Sequence, residues 1–384
     1  MAALSDHNSR PAAVRLREPR PLRVLIVAPS MDAIGGQSVQ ADLILRRLRE
    51  EPSLDMSFQP INPRLPPILQ PIQRTKYART LPTFTLYCAQ LFKAMRECDV
   101  VHVFSASYLS FLLAPTPAIY LARYLQKPVI LNYHSGEAQD HLTRWPSAVR
   151  ALRLVDRIAV PSNYLVHVFE RFRLKTRTVF NAVNLGAFKF RARAKPRPAF
   201  LVNRSFEAHY NVACVLRAFA LIQRRLPNAS LTIAGDGPQR AHLQQLANEL
   251  SLCNTRFVGR VPQQQMPATY DAHDVWLNAS DVDNMPMSIL EAYACGLAVV
   301  TTNSGGIPYI VEDKRTGRLV ERGNEKSLAE TALEVVSHPE LFSELTQNGR
   351  AECMKYTWDS VKPAWMTLYS ELAPQGTWPY VRTA

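Results

Sequence analysis

The 384-residue sequence predicts an α/β protein built on doubly wound parallel sheets, and three observations predict it. Short, almost continuously apolar runs such as Leu22 to Ala28 (L-R-V-L-I-V-A) and Leu297 to Thr301 read as strands buried on both faces, as parallel-sheet strands are. Segments with apolar residues at helical spacing alternate with these runs, and strand–helix alternation marks a parallel sheet. Small polar loops follow several of the strands, Gly35-Gly36-Gln37 and Ser304-Gly305-Gly306 among them. In such sheets ligands bind beyond the carboxyl ends of the strands. The length is sufficient for two domains with full cores.

Hydrophobic residues make up 47% of the chain and charged ones 20%, the balance of an ordinary soluble globular protein. The net charge of +13 is unevenly placed: residues 1–190 carry 25 Lys and Arg against 13 Asp and Glu, and residues 191–384 carry 20 against 19. A basic first half meets something anionic. No nucleic-acid-binding motif accompanies the charge, so no nucleic-acid partner is expected. An anionic membrane surface or a phosphorylated lipid acceptor fits better. The six cysteines show no C-x-x-C and no paired spacing, and most sit within apolar patterns and read as small core residues of a reduced, cytoplasmic protein. Residues 1–20 are polar and Arg-rich without an apolar core, a disordered tail rather than a signal peptide. Ser107 to Leu125 is the most apolar long run, but Pro115 and Pro117 interrupt it and Arg123 ends it, which predicts a buried helix pair and not a membrane span.

Taken in order, the first strand, Leu22 to Ala28, leads through Gly35-Gly36-Gln37 into an amphipathic helix from Ser38 to Arg49. A strand, a glycine loop and a helix start form an anion site, because bare N–H groups and the helix dipole converge there. A Gly-Gly pair alone can equally be a plain tight turn. There is no G-x-G-x-x-G, which argues against a nicotinamide site. From Pro60 to Arg96 the chain is Pro-rich, basic and apolar by turns, with Arg74, Lys76 and Arg79 beside Tyr77, Leu81, Phe84 and Tyr87. This mixture suits a membrane interface; a helix packed on its own sheet with a solvated basic edge suits it as well. Val100 to Phe104 and Pro128 to Tyr133 are further strands, the second delivering His134-Ser135-Gly136-Glu137 to the ligand edge. Asp156 to Ser162 is another.

The second half opens with a strand at Ala199 to Asn203, followed by Arg204 and, five residues on, His209. Ser230 to Gly235 is a strand leading into the turn Asp236-Gly237-Pro238. Trp276 to Asn278 close a buried run, and a polar loop to Asn284 follows. Pro286 suits the first turn of a helix, since its fixed φ is helical and its missing N–H is not needed there. Met287, Ile289, Leu290, Tyr293 and Ala294 continue at helical spacing, and Gly296 ends the pattern as a C-cap does. Asp283 and Glu291 bracket the first turns of this helix. A carboxylate there also arises simply as a charge that stabilises the helix dipole. Tyr356 to Leu372, with Trp358, Trp365 and Tyr369, predicts a terminal helix pair.

The string D-N-M-P-M-S-I-L-E-A-Y-A-C-G, then V-V-T-T-N-S-G-G-I-P-Y-I-V-E and T-G-R-L-V, resembles the acid, seven residues, acid motif and the Gly-Gly loop of retaining GT-B glycosyltransferases of family four. The resemblance runs from about Leu22 to Leu372. It implies an α/β GT-B fold: two doubly wound, Rossmann-like domains facing across a cleft. The acceptor-side domain would span residues 21–187 and the nucleotide-sugar domain residues 188–355, with helices in 356–384 crossing back to the first. It implies transfer of a sugar from a UDP- or GDP-sugar to a hydroxyl acceptor (a glycan, a lipid-linked sugar or a small molecule) with retention at the anomeric carbon.

In that comparison Glu291 holds the donor ribose, Asp283 and His134 lie at the sugar, and Arg204 with His209 grips the diphosphate. Gly35, Gly36 and Gln37 lie near the diphosphate, Arg260 beside the base, and Met285, Pro286 and Met287 on the donor side. Neither a metal nor a cofactor beyond the donor is implied, since Asp281-Val282-Asp283 falls inside the acidic motif. A peripheral position on the inner face of a membrane is compatible with the basic first half. Two positions depart from the family: Asp283 replaces a Glu, one methylene longer, and His209 replaces a Lys. An imidazole is only partly charged near neutrality where an ammonium is fully charged. The departures leave a second expectation open, a nucleotide-sugar-binding subunit with weak or no activity.

Overall fold

The protein is described by a computed structural model covering residues 20–30, 36–67, 79–375 and 377. In the first half, β1 (Leu22–Ala28), β2 (Leu54–Pro60), β3 (Val100–Ser105), β4 (Val129–Tyr133), β5 (Arg157–Val160) and β6 (Arg177–Thr178) form a parallel sheet in the order β2-β1-β3-β4-β5-β6. β3 and β4 are buried along their whole length, hence their unbroken apolar reading. β2 is an edge strand and alternates, with Asp55 and Ser57 outward. Along β1 the period of two sends Val24 and Ile26 to one face and Leu25 and Val27 to the other.

Helix α1 (Gly36–Leu48) covers the first face with Ala41, Ile44, Leu45 and Leu48. On the second face lie α2 (Thr80–Glu97), α3 (Tyr108–Leu113), α4 (Pro115–Tyr124), α5 (Ala138–Arg144), α6 (Pro146–Leu152) and α7 (Asn163–Glu170). The run from Ser107 to Leu125 is thus the expected helix pair, and among the described residues no helix is long and apolar enough to cross a membrane. α2 buries Tyr87, Leu91 and Met95 and leaves Leu81 and Phe92 exposed. Arg74, Lys76 and Tyr77 lie outside the described residues.

The second half repeats the plan. β7 (Ala199–Asn203), β8 (Ser230–Ala234), β9 (Thr255–Gly259), β10 (Val275–Leu277), β11 (Ala298–Thr302) and β12 (Arg318–Val320) are parallel, in the order β12-β11-β10-β7-β8-β9. Around this sheet lie α8 (Val212–Arg225), α9 (Arg240–Glu249), α10 (Met266–Asp271), α11 (Met287–Cys295), α12 (Glu325–Ser337) and α13 (Pro339–Cys353). α11 begins one residue later than expected: Pro286 is extended, with φ −68° and ψ 120°, and precedes the first helical turn instead of joining it. Gly296 ends the helix at φ +74°, a left-handed conformation that favours glycine.

The chain closes with α14 (Trp358–Leu372). Where a helix pair is predicted from Tyr356, the structure has a single 3₁₀ turn at Met354–Tyr356 and then one helix, capped by the Thr357 side chain on the Ser360 N–H. Trp358, Val361, Trp365, Leu368 and Tyr369 form one stripe, and a single helix buries it. That stripe packs with Val24, Ile26 and α1 of the first half, so the terminal helix lies on the first-half sheet. All six cysteines are free; Cys98, Cys214, Cys295 and Cys353 are buried, Cys88 is half-buried and Cys253 is exposed.

Each sheet reverses its strand order once, between β1 and β3 and between β7 and β10. Crevices open at the carboxyl ends of the strands at such reversals.

Candidate active site

The two crevices face one another and enclose a cleft of about 580 Å³. Gly36 and Gln37 after β1 and Ala106 after β3 line one side; Arg204 after β7 and residues 282–286 after β10 line the other. Gln37 bridges its crevice, its Nε2 donating to the Ser105 carbonyl at 3.2 Å. Gly36 starts α1 at the rim, so the positive end of that helix dipole faces the cleft end of the sheet. Gly35 lies outside the described residues.

On the second-half wall, Arg204 is bound three ways. Its Nη2 pairs with the Asp283 carboxylate, its Nη1 donates to Ser288 Oγ at 3.2 Å, and its guanidinium lies 4.0 Å from the centre of the Tyr210 ring. Nε is buried with no partner among the described residues, a donor left for an incoming oxygen. His209 lines the same wall, and its carbonyl accepts from the N–H of Asp281 at 2.8 Å, tying this turn to the acidic loop. Arg260, beyond β9, and Asp236, beyond β8, complete the outer end. Arginine beside histidine at a strand end suits an anion with several oxygens.

Glu291, on α11 one turn inside the helix start, is 7% exposed. Oε2 accepts from the Tyr270 hydroxyl at 2.8 Å, and Oε1 from Gln263 Nε2 at 3.5 Å. Burial pushes its carboxyl up to about 7, against the lowering pull of these two hydrogen bonds. A carboxylate held at this threshold gains most from a ligand that donates hydroxyl protons to it.

The first-half wall presents His134, directly after β4. Its ring is stacked on Phe104, with centroids 5.2 Å apart, and its Nε2 is buried without a partner among the described residues. Burial lowers its pKa to about 4, so the imidazole is neutral at physiological pH and serves as a hydrogen-bonding group rather than a cation.

The acidic loop is where the halves touch. Asn181 Nδ2 donates to the Met285 carbonyl at 3.2 Å, Ser162 Oγ donates to Asn284 Oδ1, and Asn284 Nδ2 donates to the His134 carbonyl at 3.4 Å. Gln40 on α1 reaches Met287 Sδ at 3.2 Å. Behind the loop, a Cβ on Gly305 would strike the Asp283 carbonyl and one on Gly306 the Asn284 carbonyl. The Gly-Gly pair therefore supports the loop from behind and is absent from the cleft lining.

The cleft thus brings together Gly36, Gln37 and His134 from one half with Arg204, His209 and Arg260 from the other. Asp283, Met285, Pro286, Met287 and Glu291 stand between them. Sequence reasoning missed Asn203, Tyr210 and Tyr270. Each is an ordinary residue in a strand end, turn or helix, and only the fold shows that Tyr210 backs Arg204, Tyr270 backs Glu291 and Asn203 bonds Tyr270.

Residues 34–186 match glycosyltransferase family 4, and residues 187–352 match glycosyl transferases group 1. The chain belongs to glycosyltransferase family 4. This member is 27% identical over 278 residues to the D-inositol 3-phosphate glycosyltransferase of Saccharomonospora viridis, across 66% of its own length and 64% of the relative's. It is 29% identical over 144 residues to the GDP-mannose-dependent alpha-(1-6)-phosphatidylinositol monomannoside mannosyltransferase of Mycolicibacterium smegmatis, across 35% and 38%. The chain thus spans less than two thirds of the length of these curated relatives. Anabaena HepE, solved with UDP and glucose, has the same fold: TM-score 0.71 at 15% identity, over 91% of this chain and 100% of that one. Two parallel Rossmann-like sheets about one cleft make this family-4 chain a GT-B protein.

Proposed function

We propose that the protein is a retaining glycosyltransferase that moves a sugar from a UDP- or GDP-sugar to a hydroxyl acceptor in glycoconjugate or polysaccharide biosynthesis. The observation that carries the reading is the convergence of Arg204, His209 and Glu291 on one wall, opposite a neutral, unpartnered His134. Residues 188–355 hold the donor: Glu291 takes the ribose hydroxyls, Arg204 and His209 the diphosphate, and the Arg260 segment the base. Residues 21–187 take the acceptor, and residues 356–384 tie back to them. Both UDP and GDP occur in the names of similar proteins, as does a phosphatidylinositol acceptor.

In the transfer, the acceptor oxygen attacks the anomeric carbon on the face the diphosphate leaves. The bond from that carbon to the phosphate oxygen breaks, and the departing phosphate takes the acceptor proton. No protein nucleophile is required. The protein positions both substrates and stabilises the leaving charge through Arg204, His209 and the positive end of the α1 dipole. With those donors in place the reaction runs without a metal ion, and activity should persist in a chelator.

A lipid-linked acceptor would be met at an anionic inner membrane surface from the cytoplasmic side. Leu81, Phe92, Leu109, Leu112, Tyr120 and Tyr124 on α2, α3 and α4 are all exposed, beside Lys93, Arg96 and Arg123. Exposed aromatic and aliphatic groups among cations suit a membrane interface. A second reading, a nucleotide-sugar-binding subunit without activity, draws on the Arg204–Asp283 pair, which engages two of the proposed site groups with each other. The test is a thermal-shift panel of UDP-, GDP- and ADP-sugars, since a ligand that binds only the folded state raises its melting temperature. One nucleotide series should stabilise the protein; no shift with any of them would refute the donor site.

A further inference from the structure

Behind Glu291 runs a buried chain of hydrogen bonds whose direction is set at its far end. Trp276 of β10 is fully buried, and its indole Nε1–H can only donate; it does so to Asn203 Oδ1 at 2.5 Å. That fixes the Asn203 amide, leaving Nδ2 to donate to the Tyr270 hydroxyl oxygen at 2.6 Å. The single hydroxyl proton of Tyr270 must then point onward, to Glu291 Oε2 at 2.8 Å, with the Ser288 carbonyl a more distant acceptor at 3.3 Å. Burial and the facing Glu291 raise the Tyr270 phenol well above its ordinary value, so it stays protonated and remains a donor. Every link points toward the carboxylate.

We infer that Tyr270 is a positioning residue: through this one-way relay it favours the ionised form of Glu291 and anchors Oε2, leaving Oε1 with its long contact to Gln263 to receive the hydroxyls of a nucleotide ribose. The inference rests on the donor site proposed above. A relay of fixed donors favours the charged form of its acceptor and disfavours the protonated one. The groups facing Glu291 are few. Tyr270 comes from α10, Gln263 (uncharged) from the turn before it, and Cys295 from one turn further along α11, its thiol pushed up to about 12 chiefly by burial. Arg204 touches the helix at Ser288, and Arg260 lines the same cleft. Tyr270 and Gln263 are the groups that bond the carboxylate directly.

The test is calorimetric binding of UDP and of GDP to the full chain between pH 5.5 and 9, with two near-isosteric variants. Tyr270→Phe removes the last donor. Asn203→Asp replaces the Nδ2 donor by an acceptor, so the Tyr270 hydroxyl turns back toward it and leaves Glu291. Binding by the unmodified chain should strengthen as pH rises through the ionisation of Glu291. In both variants that midpoint should rise by about one pH unit and affinity near pH 7 should fall about tenfold, from the strength of a hydrogen bond to a charged group. Adding either change to Glu291→Gln should move the pH profile no further. Binding with an unmoved midpoint in both variants overturns the relay alone. No binding of UDP or GDP by the unmodified chain removes the donor site, and the relay with it.

Discussion

Arg204, at the end of β7, and Asp283, in the loop after β10, form an ion pair across the point where the second sheet reverses its strand order. The pair is nearly buried, with side chains 9% and 10% exposed, and Tyr210 lies against the guanidinium. It fixes the acidic loop against the wall proposed to hold the diphosphate. Removing the arginine alone therefore does two things: it deletes the phosphate donors and strands a buried carboxylate. Arg204→Met should cost about 3–5 kcal/mol of stability, as breaking one side of a buried pair does. Arg204→Met with Asp283→Asn should recover most of that stability while nucleotide affinity stays weak. Chemical denaturation and calorimetry on the two proteins separate the effects; equal nucleotide affinity in the double variant and the unmodified chain would remove Arg204 from the site.

Glu291 makes a pH prediction for the unliganded protein. Its folded value of about 7 lies above the ordinary 4.5, so between these the folded chain keeps a proton that the unfolded chain has lost. The stability this contributes is fully present below about 4.5 and is lost as pH rises through about 7. At about 1.4 kcal/mol per unit, the whole loss is roughly 3 kcal/mol. Glu291→Gln should flatten this part of the profile. Urea midpoints measured from pH 4.5 to 8 that fall in parallel for both proteins would place the titration elsewhere.

Gly306 backs the acidic loop, its N–H donating to the Asp283 carbonyl at 3.1 Å. Its backbone conformation is open to other residues, so Gly306→Ala meets only the Asn284 carbonyl in the way. The loop must give ground. Displacement of a positioning group by about 1 Å costs about 100-fold in rate, so turnover should collapse; the forced shift of a backbone carbonyl should also cost about 1–3 kcal/mol of stability, with the circular dichroism of the folded protein retained. Full turnover by this variant would mean that the loop tolerates displacement.

For the membrane face, replacing Leu109, Leu112 and Tyr124 together by Ser should lower co-sedimentation with anionic vesicles, and salt should lower it for the unmodified chain. Sedimentation that is independent of anionic lipid content would dismiss that face.

Most of the architecture was legible because parallel strands buried on both faces leave unbroken apolar runs, and glycine loops mark their carboxyl ends. The cleft residues read from those ends, His134, Arg204 and Asp283 among them, do converge. What stayed hidden depends on contact across the fold. Nothing in the sequence distinguishes Tyr270 from a core tyrosine, since its role is fixed by the depth at which α10 meets α11. The Gly-Gly loop was legible as a loop but not as a support, because only packing shows which side of Asp283 it occupies. The terminal helix was expected as two because a 3₁₀ turn and a capping threonine, both local, precede a single apolar stripe.

The central claim is that the cleft cleaves a nucleotide-sugar bond with Glu291 holding the ribose. Incubating the full chain with UDP-, GDP- and ADP-sugars in turn, without acceptor, and following free nucleoside diphosphate by chromatography tests it directly. One nucleotide series should be hydrolysed slowly by the unmodified chain, and Glu291→Gln at sub-saturating donor should be slower by about 10–100-fold, the worth of hydrogen bonds to a charged group. Release of no nucleotide from any donor that binds would contradict the account and leave a binding subunit; release at an undiminished rate by Glu291→Gln would contradict the role given to that carboxylate.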